Sequence, residues 1–198
     1  MEQIVTDRDL VENSLNGSRQ DFEILVKRYS KKLYLFIFNR TGNREDTEDI
    51  IQETFLKVYK NLSGYDPKWN FSTWIYTIAM RISVSHFRYT NVRERKPIFP
   101  LSPTTESPEE KMIKNDVSSI WEAADKLGTV KYEVIRLRYG DGLTIKEIVK
   151  ITGKTSVNIR VILYRAKNEL IRIMNRTVEP GMPLQKYPEK SMTLGVKK

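Results

Sequence analysis

Apolar residues recur three and four positions apart along most of this chain, and strict alternation never persists long enough to indicate a strand. This spacing predicts amphipathic α-helices, because it places the apolar side chains on one face of each helix. The expected fold is therefore all-α. Only 39% of the 198 residues are hydrophobic, so these helices can enclose small cores only.

Proline marks the boundary between two predicted domains. Four of the eight prolines fall within residues 96–108, together with Ser, Thr and Glu, and proline is excluded from helix interiors. We therefore expect two small helical domains, residues 1–95 and 109–176, joined by a proline-rich extended linker. Residues 177–198 show no helical period and are predicted to form a flexible tail.

Capping residues locate the individual helices. A hydroxyl at a helix start can accept a hydrogen bond from a free backbone N–H, so Ser18 and Ser72 are predicted caps, as is either Thr155 or Ser156. The predicted helices span about residues 7–15, 18–40, 45–62, 72–89, 109–126, 130–139, 144–151 and 155–175.

The last two predicted helices form a recognisable pair. Thr144 and Glu147 have the spacing of a capping box at the start of a short helix, and Gly153 interrupts the chain before a longer one. This order predicts a helix-turn-helix in the second domain. The longer helix should pack through one apolar stripe, Ile159, Leu163, Ala166 and Leu170.

Charge indicates the class of partner. The formal net charge is +9, and residues 144–176 alone carry eight Lys and Arg against two Glu. A basic field of this kind favours nucleic acid as the partner, and a membrane surface second. The longest apolar run has six residues, too few to cross a bilayer, and the acidic start does not resemble a signal peptide. We expect a soluble cytoplasmic protein with no membrane insertion.

Several classes of enzyme lack their usual residues. The chain has no Cys and a single His, His86, which disfavours metal sites and most acid–base catalysis. It also lacks a phosphate-binding glycine loop and a Gly-x-Ser-x-Gly nucleophile motif. A nuclease would need a second carboxylate group beside the cluster at residues 45–53. We therefore expect no enzyme activity, cofactor or metal, and a structural or phosphate-binding role for His86.

Two segments are candidates for binding, and their spacing leaves both interpretations open. Residues 48–55 form an amphipathic helix with an acidic outer side, which is either solvated or faces a basic partner. Residues 65–76 contain five aromatic side chains, which either fill the core or stack on unpaired bases.

Four short motifs occur in order along the chain: Asp49–Phe55, Phe71–Ala79, Ile145–Ile148 and Tyr164–Leu170. Together they resemble motifs of the bacterial RNA polymerase sigma factors of the extracytoplasmic-function (ECF) group. The resemblance covers about residues 20–90 and 115–172, and the ordered combination is specific although each motif alone is weak. It implies a sigma factor that binds core RNA polymerase and directs promoter-specific initiation by capturing and melting the −10 element.

The resemblance also implies where the partners bind. The polymerase-binding residues would be Asp49, Ile50, Gln52, Glu53 and Phe55. The −10 DNA-binding residues would be Lys60, Tyr65, Asp66, Lys68, Trp69, Asn70, Ser72, Thr73, Tyr76, Arg81 and Arg88. The residues that bind −35 DNA or a protein partner would be Lys154, Val157, Asn158, Arg160, Val161, Ile162, Tyr164, Arg165 and Lys167.

This chain departs from the family pattern at two places. Arg81 and Ser85 stand where the family usually has Asn and Asp, so the base preference at −10 is open. Val157 and Val161, flanked by Ile162, occupy the face of the last helix that should read DNA, and aliphatic side chains can contact only a thymine methyl. That helix then either grips phosphates with little sequence choice or docks an anti-sigma factor or a separate DNA-targeting protein. The alternative function is a helix-turn-helix transcriptional regulator that binds duplex DNA without polymerase.

Overall fold

The computed structural model describes residues 5–93 and 116–177. The predicted linker, residues 96–108, and residues 178–198 of the predicted tail lie outside the described residues. Within the two described ranges the chain is helical and contains no strand, so the all-α prediction is confirmed. The helices are α1 (Asp7–Leu15), α2 (Arg19–Thr41), α3 (Arg44–Lys60), α4 (Phe71–Arg93), α5 (Asp116–Ala124), α6 (Thr129–Ile135), α7 (Ile145–Thr152) and α8 (Ser156–Thr177).

The chain divides into two compact units. The first contains Met1–Ser102 and Val149–Lys154, and the second contains Pro103–Ile148 and Thr155–Lys198. Helices α1 to α4 belong to the first unit, and α5, α6 and α8 belong to the second.

The first unit is built around α2, which packs against α1, α3 and α4. Phe36 of α2 meets Tyr76 of α4 edge to face, with ring centroids 4.9 Å apart, and both side chains are fully buried. Tyr29 of α2 donates its hydroxyl hydrogen to Asp7, which also pairs with Arg28. Burial, followed by this hydrogen bond, raises the pKa of Tyr29 above its ordinary value. The Phe36–Tyr76 contact holds α4, which carries many of the candidate DNA-binding residues, against α2.

Helix starts follow the capping residues in most cases. Ser18 caps α2 by accepting the Asp21 N–H at 3.3 Å, as predicted, and Asn43 caps α3. Gly42 ends α2 with φ at 61°, the left-handed conformation that glycine adopts without strain. The prediction that Ser72 caps α4 is wrong, because α4 begins at Phe71 and the Ser72 hydroxyl hydrogen-bonds Tyr29 instead.

The second unit encloses its own small core. Side chains of α5, α6 and α8 pack together there, and the predicted stripe of α8 is confirmed, with Leu163 partly buried and the other three residues buried. The helix predicted over residues 130–139 ends sooner, at Ile135, and continues as a π-helical turn, Arg136–Gly140. In this turn the Arg136 guanidinium lies 4.9 Å from the centre of the Trp121 ring.

The predicted helix-turn-helix elements are present as α7 and α8. Thr144 donates to the Glu147 carboxylate through its N–H, at 2.8 Å, and through its hydroxyl, while the Glu147 N–H returns to the Thr144 hydroxyl. Gly153 ends α7 with φ at 68°, a conformation that would strain any side chain with a Cβ. Thr155, the first of the two predicted candidates, then caps α8 by accepting the Asn158 N–H.

Two features are absent from the described residues. None of their helices is long and apolar enough to cross a membrane. No group of three or more His, Cys, Asp or Glu among them could hold a metal ion.

Candidate nucleic-acid and polymerase interfaces

The outer face of α3 combines free carboxylates with apolar surface. Asp49, Gln52 and Glu53 are exposed, and neither carboxylate forms an ion pair with another described residue. Glu48, by contrast, is already paired with Arg44 at 2.7 Å. The face therefore presents two unpaired negative charges one helical turn apart, available to a basic partner.

Two of the predicted polymerase contacts, Ile50 and Phe55, are less exposed than the polar residues of this face. Ile50 is buried to 1% exposure, so its assignment to a contact surface is corrected: it holds α3 on the core. Phe55 is half-buried. The sequence reasoning missed Leu56, which is 54% exposed and lies three and four positions after Glu53 and Gln52. The signal was available, because the spacing of buried Ile50, Thr54 and Val58 excludes Leu56 from the core side.

The loop between α3 and α4 is tightly organised. The Tyr65 hydroxyl donates to the Trp69 carbonyl at 2.6 Å, and the Asp66 carboxylate accepts the Lys68 N–H at 3.0 Å. Tyr65 also packs against Phe71 and Trp74, with ring centroids 5.7 and 5.5 Å away. Tyr65 and Trp69 are half-buried, whereas Asp66, Lys68 and Asn70 are exposed. These contacts fix the Tyr65 ring, which remains partly accessible beside Trp69.

Two residues predicted to bind −10 DNA lie in the core instead. Thr73 and Tyr76 are both fully buried. The Thr73 carbonyl accepts the Thr77 hydroxyl at 2.6 Å, and the Tyr76 ring packs on Phe36. Neither side chain can reach a DNA strand without opening the first unit, so both are removed from the predicted interface.

One face of α4 carries apolar side chains near the aromatic loop and arginines farther along the helix. Trp74, Ile78, Arg81, Ser85 and Arg88 recur at spacings of four and three, which places them along one side of the helix. The first two are half-buried and the last three are exposed. The α-helical rise puts Trp74 and Arg88 about 21 Å apart along this face. Lys60, at the end of α3, is exposed as well.

His86 lies near the same end of α4 and has a structural neighbour. Its Nε2 is 3.4 Å from an Asp46 carboxylate oxygen of α3. This contact links α3 to α4, which agrees with the structural role expected for the single histidine.

Helix α8 presents an exposed face that is both basic and apolar. Arg160 and Arg165 are exposed, and so are Val157 and Tyr164, at 66% and 70%. The remaining predicted residues are also accessible: Asn158 and Val161 are exposed, and Lys154, Ile162 and Lys167 are half-buried. The structure therefore keeps the whole predicted set on the surface of the second unit or in the turn before α8.

Comparisons with known proteins identify the families to which two segments of the chain are similar. Residues 25–92 match the family Sigma-70 region 2, and residues 118–170 match Sigma-70, region 4. The ECF RNA polymerase sigma factor SigW of Bacillus subtilis is 28% identical over 171 residues, which is 78% of this chain and 89% of SigW. This chain belongs to the ECF group of RNA polymerase sigma factors. The alternative of a helix-turn-helix regulator that acts without polymerase is thereby disfavoured.

Other relatives agree with this family. The ECF sigma factor BldN of Streptomyces coelicolor is 27% identical over 171 residues, which covers 84% of this sigma factor and 65% of BldN. Among solved structures, the sigma factor RpoE of Bartonella quintana, crystallised with the anti-sigma factor NepR, superposes with a TM-score of 0.64. Its identity is 18%, with 79% of this chain and 98% of the other covered, so the likeness establishes the shared fold.

The family assignment also identifies the partners of this sigma factor. Sigma factors are non-catalytic initiation factors that direct RNA polymerase to promoters, so the partners of this sigma factor are core RNA polymerase and promoter DNA.

Proposed function

We propose that this sigma factor binds core polymerase through the outer face of α3. The observation that carries the proposal is the pair of unpaired carboxylates, Asp49 and Glu53, with Gln52 beside them and exposed Leu56 at the next turn. Charges steer the encounter of two proteins, and a central apolar side chain gains free energy when it is buried. Phe55, half-buried next to Leu56, extends the apolar part of this surface.

The aromatic loop and the exposed face of α4 are proposed to capture the non-template strand of the −10 element. Tyr65 and Trp69 can stack on unpaired bases, while Lys60, Lys68, Arg81 and Arg88 contact phosphates. Each stack is worth about 1–3 kcal/mol, which offsets the few kcal/mol needed to extrude a base from duplex DNA.

Residues 109–176 are proposed to hold the upstream promoter DNA through phosphates. Lys154, Arg160, Arg165 and Lys167 are accessible cations at the turn and on α8. Phosphate contacts position a protein on DNA without selecting a sequence, and they weaken as salt rises.

DNA opening by this route requires no catalytic side chain, because binding to unpaired bases shifts the equilibrium toward the open state. We therefore propose that the sigma factor itself is not an enzyme and needs no cofactor. Its place of action is the bacterial cytoplasm, where polymerase and promoter DNA are found. The proposed domain roles are residues 1–95 for polymerase and −10 DNA, and residues 109–176 for upstream DNA or a protein partner.

The polymerase interface is tested by reversing charge on α3. The double variant Asp49→Lys with Glu53→Lys should raise the Kd for core polymerase at least tenfold, measured by fluorescence anisotropy, with unchanged helical circular dichroism. The matched control is Glu12→Lys with Glu23→Lys, which makes the same charge change at exposed positions of α1 and α2. Unchanged affinity in the α3 variant, or an equal loss in the control, would refute this interface.

A further inference from the structure

Asp7 joins the start of α1 to α2 through two side chains. Its carboxylate accepts one hydrogen bond from the Tyr29 hydroxyl and another from the Arg28 guanidinium. The start of α1 is itself fixed by a capping box, in which Thr6 and Asp9 exchange hydrogen bonds. Asp7 is therefore held both by the cap of its own helix and by α2.

Tyr29 continues this connection to α4. Its hydroxyl donates to Asp7 and accepts a hydrogen bond from Ser72. Its ring meets Phe71 edge to face, with ring centroids 5.3 Å apart. Phe71 and Ser72 are the first two residues of α4. A side chain that is only 3% exposed thus links the starts of two helices.

The start of α4 in turn contacts the aromatic loop. The Phe71 ring packs against Tyr65 and Trp74, with ring centroids 5.7 and 5.9 Å away. Helix α1 also packs against the 3₁₀ turn that precedes Tyr65. Burial raises the pKa of Tyr65, and the nearby Asp7 charge raises it further, whereas Arg8 lowers it. The beginning of α1 therefore lies close to a ring that is proposed to stack on a base.

Core packing alone does not explain the Tyr29 hydroxyl. A phenylalanine would fill the same space, and a buried hydroxyl costs free energy unless its hydrogen bonds are made. Both of its bonds reach side chains of other helices, Asp7 of α1 and Ser72 of α4. Hydrogen bonds depend on direction as well as distance, so this network favours one placement of the start of α4, which ring packing alone leaves less defined.

We propose that Asp7 and Tyr29 are positioning residues for capture of the −10 strand, a role that rests on the −10 surface proposed above. The Asp7–Tyr29–Ser72 network sets the start of α4, and Phe71 passes that placement on to the Tyr65 ring. Neither positioning residue is suited to hold DNA itself, because Tyr29 is buried and the Asp7 carboxylate repels phosphates. A loop that is ordered before binding loses less conformational freedom when the strand binds.

This role extends the proposed function to a helix outside the family match. Sigma-70 region 2 matches residues 25–92, whereas α1 ends at Leu15. The network therefore gives the first described helix of the chain a part in promoter opening.

The first test measures hydrogen exchange of the full-length chain and needs no DNA. Tyr29→Phe keeps the ring and removes the hydroxyl, so the hydrogen-bonded backbone N–H groups within residues 64–69 should exchange about threefold faster. The matched control is Thr77→Val, which removes a buried hydroxyl whose bond to the Thr73 carbonyl stays within α4. The control should leave exchange in the loop unchanged.

The second test measures binding of holoenzyme to a single-stranded non-template −10 oligonucleotide. Tyr29→Phe should raise the Kd about fivefold, because the loop is less ordered before it binds, and should leave the Kd for core polymerase unchanged. Asp7→Ala should weaken binding as well, and Asp7→Asn less, since the amide oxygen still accepts the Tyr29 hydroxyl. In a Trp69→Ala background, Tyr29→Phe should have little further effect, because the two changes act through the same loop.

Three results would overturn the proposal: unchanged loop exchange in Tyr29→Phe, an equal increase in Thr77→Val, or losses of affinity that add fully when Tyr29→Phe and Trp69→Ala are combined. Failure of the −10 surface itself gives a different pattern. If Trp69→Ala binds the oligonucleotide normally, the proposed −10 surface is refuted together with this role for Asp7. If Trp69→Ala binds weakly while Tyr29→Phe binds normally, only the positioning role is refuted.

Discussion

At the scale of single residues, the proposed −10 surface contains two kinds of side chain, aromatic rings and positively charged arginines. Trp69 and Tyr65 offer partly exposed aromatic surface in a loop held by the Tyr65 hydroxyl, while Arg81 and Arg88 are exposed along α4. Stacking depends little on ionic strength, whereas a phosphate contact releases a counterion and therefore depends on salt. Substitution of an arginine should therefore change the salt dependence of DNA binding, whereas substitution of an aromatic residue should leave it unchanged.

This difference gives a prediction for two single variants. Trp69→Ala should weaken binding of holoenzyme to a single-stranded non-template −10 oligonucleotide by about 1–3 kcal/mol, with the salt dependence unchanged. Arg81→Ala should weaken binding across sequences and reduce the slope of log K against log salt by about 0.7, the value for one phosphate on a single strand. Titrations at several salt concentrations measure both effects. Equal slopes for Arg81→Ala and the unmodified chain would show that Arg81 does not contact a phosphate.

The sequence could not separate the binding residues of this segment from the core residues beside them. Aromatic and hydroxyl side chains serve both purposes, and Thr73 and Tyr76 lie in the same motif as the accessible Trp74. Which of them faces inward depends on how α4 packs against α2, through pairs such as Phe36 and Tyr76. Leu56 differs from these residues, because the spacing of the buried Ile50, Thr54 and Val58 is enough to place it on the outer side of α3.

At the scale of elements, local hydrogen bonds decide where helices begin. The capping box of α7 satisfies backbone donors at both Thr144 and Glu147, and its residues are only three positions apart in sequence, so the helix start could be predicted without tertiary information. The start of α4 could not, because the Ser72 hydroxyl bonds Tyr29 of another helix. The π-helical turn after α6 was unpredicted for a similar reason, since Arg136 packs on Trp121 of α5.

The capping box of α7 has a measurable contribution to stability. Thr144→Ala removes the hydroxyl partner of the Glu147 N–H and should lower the free energy of unfolding by about 0.5–2 kcal/mol. Ser156→Ala is the matched control, because Ser156 is exposed at the start of α8 while Thr155 supplies the cap. Urea denaturation followed by circular dichroism compares the two variants. A loss for Ser156→Ala as large as that for Thr144→Ala would show that Thr144 does not act as a cap.

At the scale of the whole molecule, the distribution of charge differs between the two halves of the chain and indicates a different partner for each. Residues 1–95 carry 15 Lys and Arg against 13 Asp and Glu, and the acidic face of α3 lies among them. Residues 144–176 hold the basic helix-turn-helix. The proposed division therefore assigns polymerase and melted DNA to residues 1–95, and duplex phosphates or a protein partner to residues 109–176. Both units are needed for the central claim, that this chain makes core polymerase open promoter DNA.

Permanganate footprinting tests that claim most directly, because permanganate oxidises thymines that are unstacked. The full chain is combined with core polymerase from its own bacterium and a promoter recovered from a randomised pool by transcription. We predict reactive thymines on the non-template strand at −10 only when both proteins are present, and much weaker reactivity with Trp69→Ala. A holoenzyme that forms but leaves the −10 thymines unreactive, or reactivity that Trp69→Ala and Arg81→Ala leave unchanged, would contradict the account.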